Sequence, residues 1–114
     1  MKIAIVGSRH YNNLDVVADY IRTWFKPDDT LLSGGAFGVD AIAELIAKDC
    51  QLTTQIFKPN WDKYGKSAGA IRNQQIVEAA DKVVAFWDGQ SKGTKITIDL
   101  TKKAGKPLEV IFDA

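Results

Sequence analysis

The sequence holds one cysteine, one histidine and no excess of either charge, and each shortage closes off a class of chemistry. Cys50 alone can make no intramolecular disulfide and no Cys-based metal site. On an apolar helix face it is expected to be a small buried hydrophobe. His10 has no second histidine, no cysteine and no carboxylate cluster nearby, which leaves it without the company that a metal ligand or catalytic base needs. No metal and no cofactor are therefore implied. No apolar run approaches the roughly 20 residues of a membrane span. Lys2-Ile3-Ala4-Ile5-Val6 runs into Gly7 too soon for a signal peptide, so a cytoplasmic protein with no membrane partner is expected. Fifteen basic and fourteen acidic side chains leave a formal charge of +1. A protein built for a nucleic-acid backbone is usually far more basic, which argues against nucleic acid as the partner.

What is present is the composition of an ordinary globular domain, 46% hydrophobic and 25% charged over 114 residues. That length and the uniform composition predict a single domain over 1–114. Short apolar runs followed by glycine turns and helical patterns recur along the chain, the mark of βα units around a parallel sheet. Ile3–Val6 reads as a strand covered on both faces. Leu14, Val17, Ala18, Ile21, Trp24 and Phe25 follow the spacing of a helix with one buried stripe. Thr30–Ser33 is the next strand, and Val39, Ile42, Leu45, Ile46 and Cys50 mark the next helix. Thr53–Phe57 is a third strand. The stretch 58–68 reads as a long irregular connection, of a length that is often functional. A third helix over about 69–80 leads to the strand Lys82–Trp87. The segment after Gly93 fits both a strand and a helical period; helix is chosen, because parallel strands need a crossover and Gly105-Lys106-Pro107 is a stop signal. Leu108–Ile111 is the last strand. The expectation is a Rossmann-like three-layer sandwich: a five-stranded parallel sheet of order 3-2-1-4-5 with four helices.

In such a sheet ligands bind beyond the carboxyl ends of the strands, where the strand order reverses. Four turns gather there, and they hold most of the nine glycines. The first is Gly7-Ser8-Arg9. The second, Ser33-Gly34-Gly35-Ala36-Phe37-Gly38-Val39-Asp40, turns off a strand and opens a helix, an arrangement that collects N–H groups for an anion such as phosphate. Its spacing is not that of a dinucleotide fingerprint, and it lacks a P-loop lysine. Arg72, placed in the first turn of the third helix, and Lys92 and Lys95 around the start of the fourth, oppose the helix dipole unless an anion offsets them. Arg9 fits the same pole. Asp40 either accepts from a ribose hydroxyl or serves its own helix terminus, where the dipole keeps it ionised. Trp61 and Tyr64 either stack on a base or pack the long loop down.

These blocks together resemble the SLOG superfamily, and most closely its YspA-related branch of small single-domain proteins. The resemblance rests on Gly7-Ser8-Arg9, the Ser33–Asp40 turn, and the stretch from Trp61-Asp62 through Tyr64-Gly65-Lys66 and Ala68-Gly69 to Ile71-Arg72-Asn73. It is completed by Phe86-Trp87-Asp88-Gly89, Ser91 and Gly93-Thr94. It implies a bacterial or phage protein that binds a nucleotide or nucleotide-derived phosphate ligand, as a sensor or carrier, and is compatible with a homodimer. The implied ligand-binding set is Gly7, Ser8, Arg9, Ser33, Gly34, Gly35, Gly38, Asp40, Trp61, Tyr64, Arg72, Asn73, Asp88, Gly93 and Thr94. LOG-type relatives hydrolyse nucleoside 5′-monophosphates to free base and ribose 5-phosphate, which makes an N-glycosidic hydrolase the alternative. DprA proteins, more distant, bind single-stranded DNA, the weakest alternative given the charge. The hydrolases place a catalytic Glu three residues after their Gly-Thr. Here Thr97 stands there, and Asp99, two residues on, points about 200° away on the helix.

Overall fold

The apolar run that opens the chain divides between two cores. In the computed structural model, which describes residues 1–113, β1 (Lys2–Gly7) sends Ile3 and Ile5 to one face of the sheet and Ala4 and Val6 to the other. β4 (Lys82–Trp87) does the same, with Val84 and Phe86 on the first face and Val83 and Ala85 on the second. Period-two alternation on a fully covered strand therefore reads as continuous hydrophobicity. β2 (Thr30–Ser33), β3 (Thr53–Ile56) and β5 (Leu108–Phe112) complete a parallel sheet of order β3-β2-β1-β4-β5. The register sets Gly7 opposite Phe86, so β1 and β4 end side by side.

α1 (Leu14–Trp24) and α2 (Val39–Asp49) pack on the first face. α4 (Ala68–Ala79) and α5 (Lys92–Lys103) pack on the second. This is the expected three-layer sandwich with four long helices. The stretch 58–68 is not wholly irregular, however. It holds a one-turn helix α3 (Trp61–Tyr64), whose N-cap Asn60 accepts from the Lys63 N–H at 3.1 Å, followed by a 3₁₀ turn over Gly65–Ser67. That turn runs directly into α4, so Arg72 lies in the second turn of its helix and not the first.

Three side chains depart from the expected core. Trp24 ends α1 two-thirds exposed, because the helix stops before it turns back to the sheet; Val17, Ala18, Tyr20 and Ile21 are buried instead. Leu45 is exposed, since the buried stripe of α2 is Val39, Ala43, Ile46 and Ala47. Cys50 caps the end of α2 and is exposed, so it fills no core space. At the far end of α4 the Lys106 ammonium donates to the carbonyls of Val77, Glu78 and Ala80 at 2.7–2.8 Å. A cation there satisfies carbonyls that the helix leaves unpaired. Among the described residues no helix is long and apolar enough to cross a membrane.

Two glycines differ sharply in what the fold asks of them. Gly38 has φ +76°, and a Cβ on it would sit 2.7 Å from the Arg9 carbonyl oxygen, a backbone atom that cannot swing away. Gly93 has open space where its Cβ would be. Gly38→Ala should cost about 2–3 kcal/mol through backbone strain and contact, whereas Gly93→Ala should stay within about 1 kcal/mol of the parent. Urea unfolding midpoints of the two variants test this, and equal midpoints would refute it.

Candidate functional site

The chain leaves β1 toward one face of the sheet and leaves β4 toward the other, and a cleft of about 440 Å³ opens between their carboxyl ends. Its base is tied by Ser8. The Ser8 N–H donates to Phe86 O at 3.0 Å, and the Ser8 hydroxyl accepts from the Asp88 N–H at 3.2 Å. Ser8 Oγ also lies 3.4 Å from Thr94 Oγ1. One buried serine thus joins the end of β1, the end of β4 and the start of α5.

Three helices begin on this side of the sheet, and each has a carboxylate holding the turn that leads into it. Asp113, just past β5, accepts from the N–H groups of Asn12 and Asn13 at 2.6 and 3.2 Å and so holds the turn that leads into α1. Asp40 folds back over the turn before α2 and accepts from the Ala36 N–H at 3.2 Å. The Ser33–Asp40 turn therefore presents its N–H groups to a carboxylate of its own helix. α5 is different. Ser91 precedes it without a side-chain cap, and the first N–H groups of a helix have no intrahelical partner. Asp88 shapes this end from outside by accepting from Gln90 and Ser91 N–H at 2.9 and 2.8 Å. The Trp87 indole donates to Ser91 O at 3.0 Å and fixes the turn. With Gly93 bare, the start of α5 is the open anion-accepting end.

Opposite it stands the Arg72 guanidinium, which donates to Gly34 O and, through Nε at 2.8 Å, to Asn73 Oδ1. Gly34 has to be glycine for this: a Cβ there would lie 2.6 Å from Arg72 and 3.0 Å from Asp40 Oδ2. Burial lowers the Arg72 pKa, Asp40 raises it and Arg9 lowers it again; the guanidinium remains charged. Asp40 departs from the sequence expectation. Burial pushes its pKa up to about 6, against the pull of the Ala36 N–H and Arg72 and with the push of Glu44. The dipole that was to keep it firmly ionised is outweighed by desolvation. Asp88 goes the other way, held below the ordinary carboxylate range by the Ser91 and Gln90 N–H groups.

Of the residues marked in the sequence, Gly7, Arg9, Gly34, Asp40, Arg72, Asn73, Asp88, Gly93 and Thr94 line the cleft. Ser8 lies beneath it, and Ser33 donates to Glu44 Oε2 at 2.8 Å in the layer behind. Gly35 packs near Ile56 and Lys58, and Gly38 against Arg9, so neither offers its backbone to the cleft. Trp61 and Tyr64 are not in it; they line smaller hollows with Lys58 and Asn60. Lys95 pairs with Asp99 at 2.9 Å on the exposed face of α5, so neither is part of the site. His10, Gln90, Ser91 and Thr97 do line the cleft. Their signal was adjacency, since His10 follows Arg9 and the others lie in or just beyond the Asp88–Thr94 turn.

The model of the YspA, cpYpsA-related SLOG family matches residues 1–64, more than half of the chain. The chain belongs to this SLOG family. A relative from Mycobacterium phage D29, the Gene 61 protein, is 31% identical over 116 residues, covering 94% of the chain and 93% of that protein. Among solved structures, DNA processing protein A of Streptococcus pneumoniae superposes with a TM-score of 0.82 at 20% identity. DNA processing protein A of Helicobacter pylori, studied for its single-stranded DNA binding mode, superposes with a TM-score of 0.73 at 22% identity. Both matches cover 96% of this SLOG chain, which spans 49% and 64% of those two proteins. At such identities the likeness is one of fold.

The raised pKa of Asp40 carries a stability signature. Its protonated form is favoured in the folded state, so stability is lost as pH rises from the unfolded value of 3.8 through about 6. Between pH 4.5 and 7.5 the parent should lose about 2 kcal/mol relative to Asp40→Asn. Urea unfolding of both proteins at the two pH values measures it, and parallel pH profiles would show that Asp40 titrates normally.

Proposed function

We propose that the 114 residues work as one cytoplasmic domain that binds a nucleotide or nucleotide-derived phosphate ligand in this cleft, as a sensor or carrier. The observation that carries the reading is the start of α5, with no side-chain cap and no acidic residue in its first turn, beside Gly93 in a cleft that Arg9 and Arg72 also line. α1 and α2 each carry an aspartate in the first turn, and α5 carries none. An anion of phosphate size is the natural complement to the one that does not. A volume of about 440 Å³ lies within the range of small-molecule sites.

A hydrolase reading has one observation in its favour. Asp40 and Asp88 line the same cleft with pKa values moved in opposite directions, a pattern that suits an acid and a base. Against it, Thr97 stands where LOG-type enzymes have their acid and donates to Gly93 O at 3.3 Å, while Asp99 lies outside the cleft. Asp88 is engaged in holding its own turn. Binding without turnover follows. Single-stranded DNA, bound by the Helicobacter pylori neighbour, would need a run of phosphate contacts, and this cleft brings two arginines.

A thermal-shift panel of nucleotides, cyclic dinucleotides, NAD, ADP-ribose and a thymidine oligomer tests the reading. A ligand at 100 times its Kd should stabilise by about 2.7 kcal/mol. Arg72→Ala should weaken that ligand by about 1.5–3 kcal/mol, and Gly93→Val should abolish binding with the fold intact. A shift from the oligomer alone, steeply salt-dependent, would move the function to nucleic acid. Steady release of free base from nucleoside monophosphates, lost in Asp40→Asn, would make the protein an enzyme.

A further inference from the structure

Asp40 is a cleft-lining carboxylate, 6% exposed, with an oxygen that nothing in the protein serves. Its Oδ2 accepts from the Ala36 N–H, while Oδ1 is buried without a hydrogen-bond partner. The donors around it do not close a hydrogen bond to Oδ1, although the Gly34 N–H and the unused N–H groups of Arg72 act on this carboxylate. The Ser33 hydroxyl points to Glu44, and the Arg72 hydrogen bonds go to Gly34 O and Asn73 Oδ1. Arg72 is close enough to influence Asp40 but makes no ion pair with it. A buried acceptor of this kind calls for a donor, and because Asp40 borders the cleft a bound molecule supplies one once the wall over Oδ1 gives way.

The chemistry of that donor follows from the two poles of the site. A phosphate is welcome at the start of α5 and repelled at Asp40. A group beside Asp40 must therefore be uncharged or cationic and must carry hydrogens to donate, and it must belong to a molecule whose anion lies at the other pole. The hydroxyls of a ribose bearing a 5′-phosphate meet these terms, since a carboxylate pairs well with sugar hydroxyls. We propose that Asp40 reads the ribose hydroxyls of a nucleotide whose phosphate sits at the start of α5, so that the cleft selects ribonucleotides over their 2′-deoxy counterparts. This rests on the ligand reading above and adds the sugar to it. The raised pKa of Asp40 agrees, because a charge buried without its partner is the state that burial penalises.

Titration calorimetry of the full chain with AMP, GMP, CMP and UMP and with their 2′-deoxy counterparts tests the assignment. The ribonucleotide that binds best should bind about 10- to 100-fold more tightly than its deoxy counterpart, the span of a hydrogen bond to a charged group. In Asp40→Asn, checked for folding by circular dichroism, that ratio should fall to about threefold or less. Equal binding of the two sugars by the parent protein overturns the ribose assignment and leaves the ligand reading standing. A preference that follows the base and ignores the sugar does the same. A ribose preference untouched in Asp40→Asn assigns the selectivity to another residue and overturns the proposal. Binding of none of the eight nucleotides takes down the ligand reading and this assignment with it.

Discussion

β1 and β4 are hydrogen-bonded neighbours, but the chain departs from them to opposite faces of the sheet. Because a right-handed crossover must begin by leaving the sheet, no connection can pass over the point between them. The cleft is therefore a consequence of strand order, present before any side chain is chosen. What the sequence adds is a way to keep the two diverging ends together. Ser8 does this with its own backbone and hydroxyl, and with 1% of its surface exposed it serves the frame rather than the ligand.

On that frame the distribution of negative charge does the selecting. Helix N-termini collect around the cleft by topology, and each attracts an anion. Asp113, Asp40 and Asp88 each hold the turn leading into α1, α2 and α5. α1 and α2 also carry an aspartate in the first turn, and α5 carries none. The same carboxylate that closes the turn before α2 then sits unpaired on one oxygen. A single aspartate both occupies an anion nest and lines the wall opposite another.

The sheet was legible because fully covered parallel strands leave apolar runs between glycine turns, and Lys82–Trp87 and Thr30–Ser33 were read to the residue. The one-turn helix at Trp61–Tyr64 was not, since four residues are too few for any period to appear and its cap, Asn60, is a common loop residue. Exposure of Trp24, Leu45 and Cys50 escaped for a related reason. A helical stripe gives the face but not the point at which a neighbouring element ends. In the site, residues of the marked turns line one cleft, but the contacts within those turns were not legible in the sequence. Gly35 and Gly38 look like the ligand glycines and instead meet protein, as Gly34 meets Arg72 and Asp40, while Gly93 faces open space. Which N–H group a carboxylate will reach depends on side-chain geometry that no one-dimensional pattern carries. The ionisation of Asp40 was misjudged on the same ground, because burial is a property of the assembled fold.

The Lys106 ammonium grips three carbonyls at one end of α4, and Arg72 rides on the other half of the same helix. Mechanically α4 is a beam clamped at one end. Seven residues separate Arg72 from the last helical residue, Ala79, which at the rise of an α-helix is a lever arm of about 10 Å. A tilt of about 5° at the clamp displaces the guanidinium by only about 1 Å. The cation at the cleft is thus held locally by Gly34 O and Asn73 Oδ1, and its helix is steadied at the other end by Lys106.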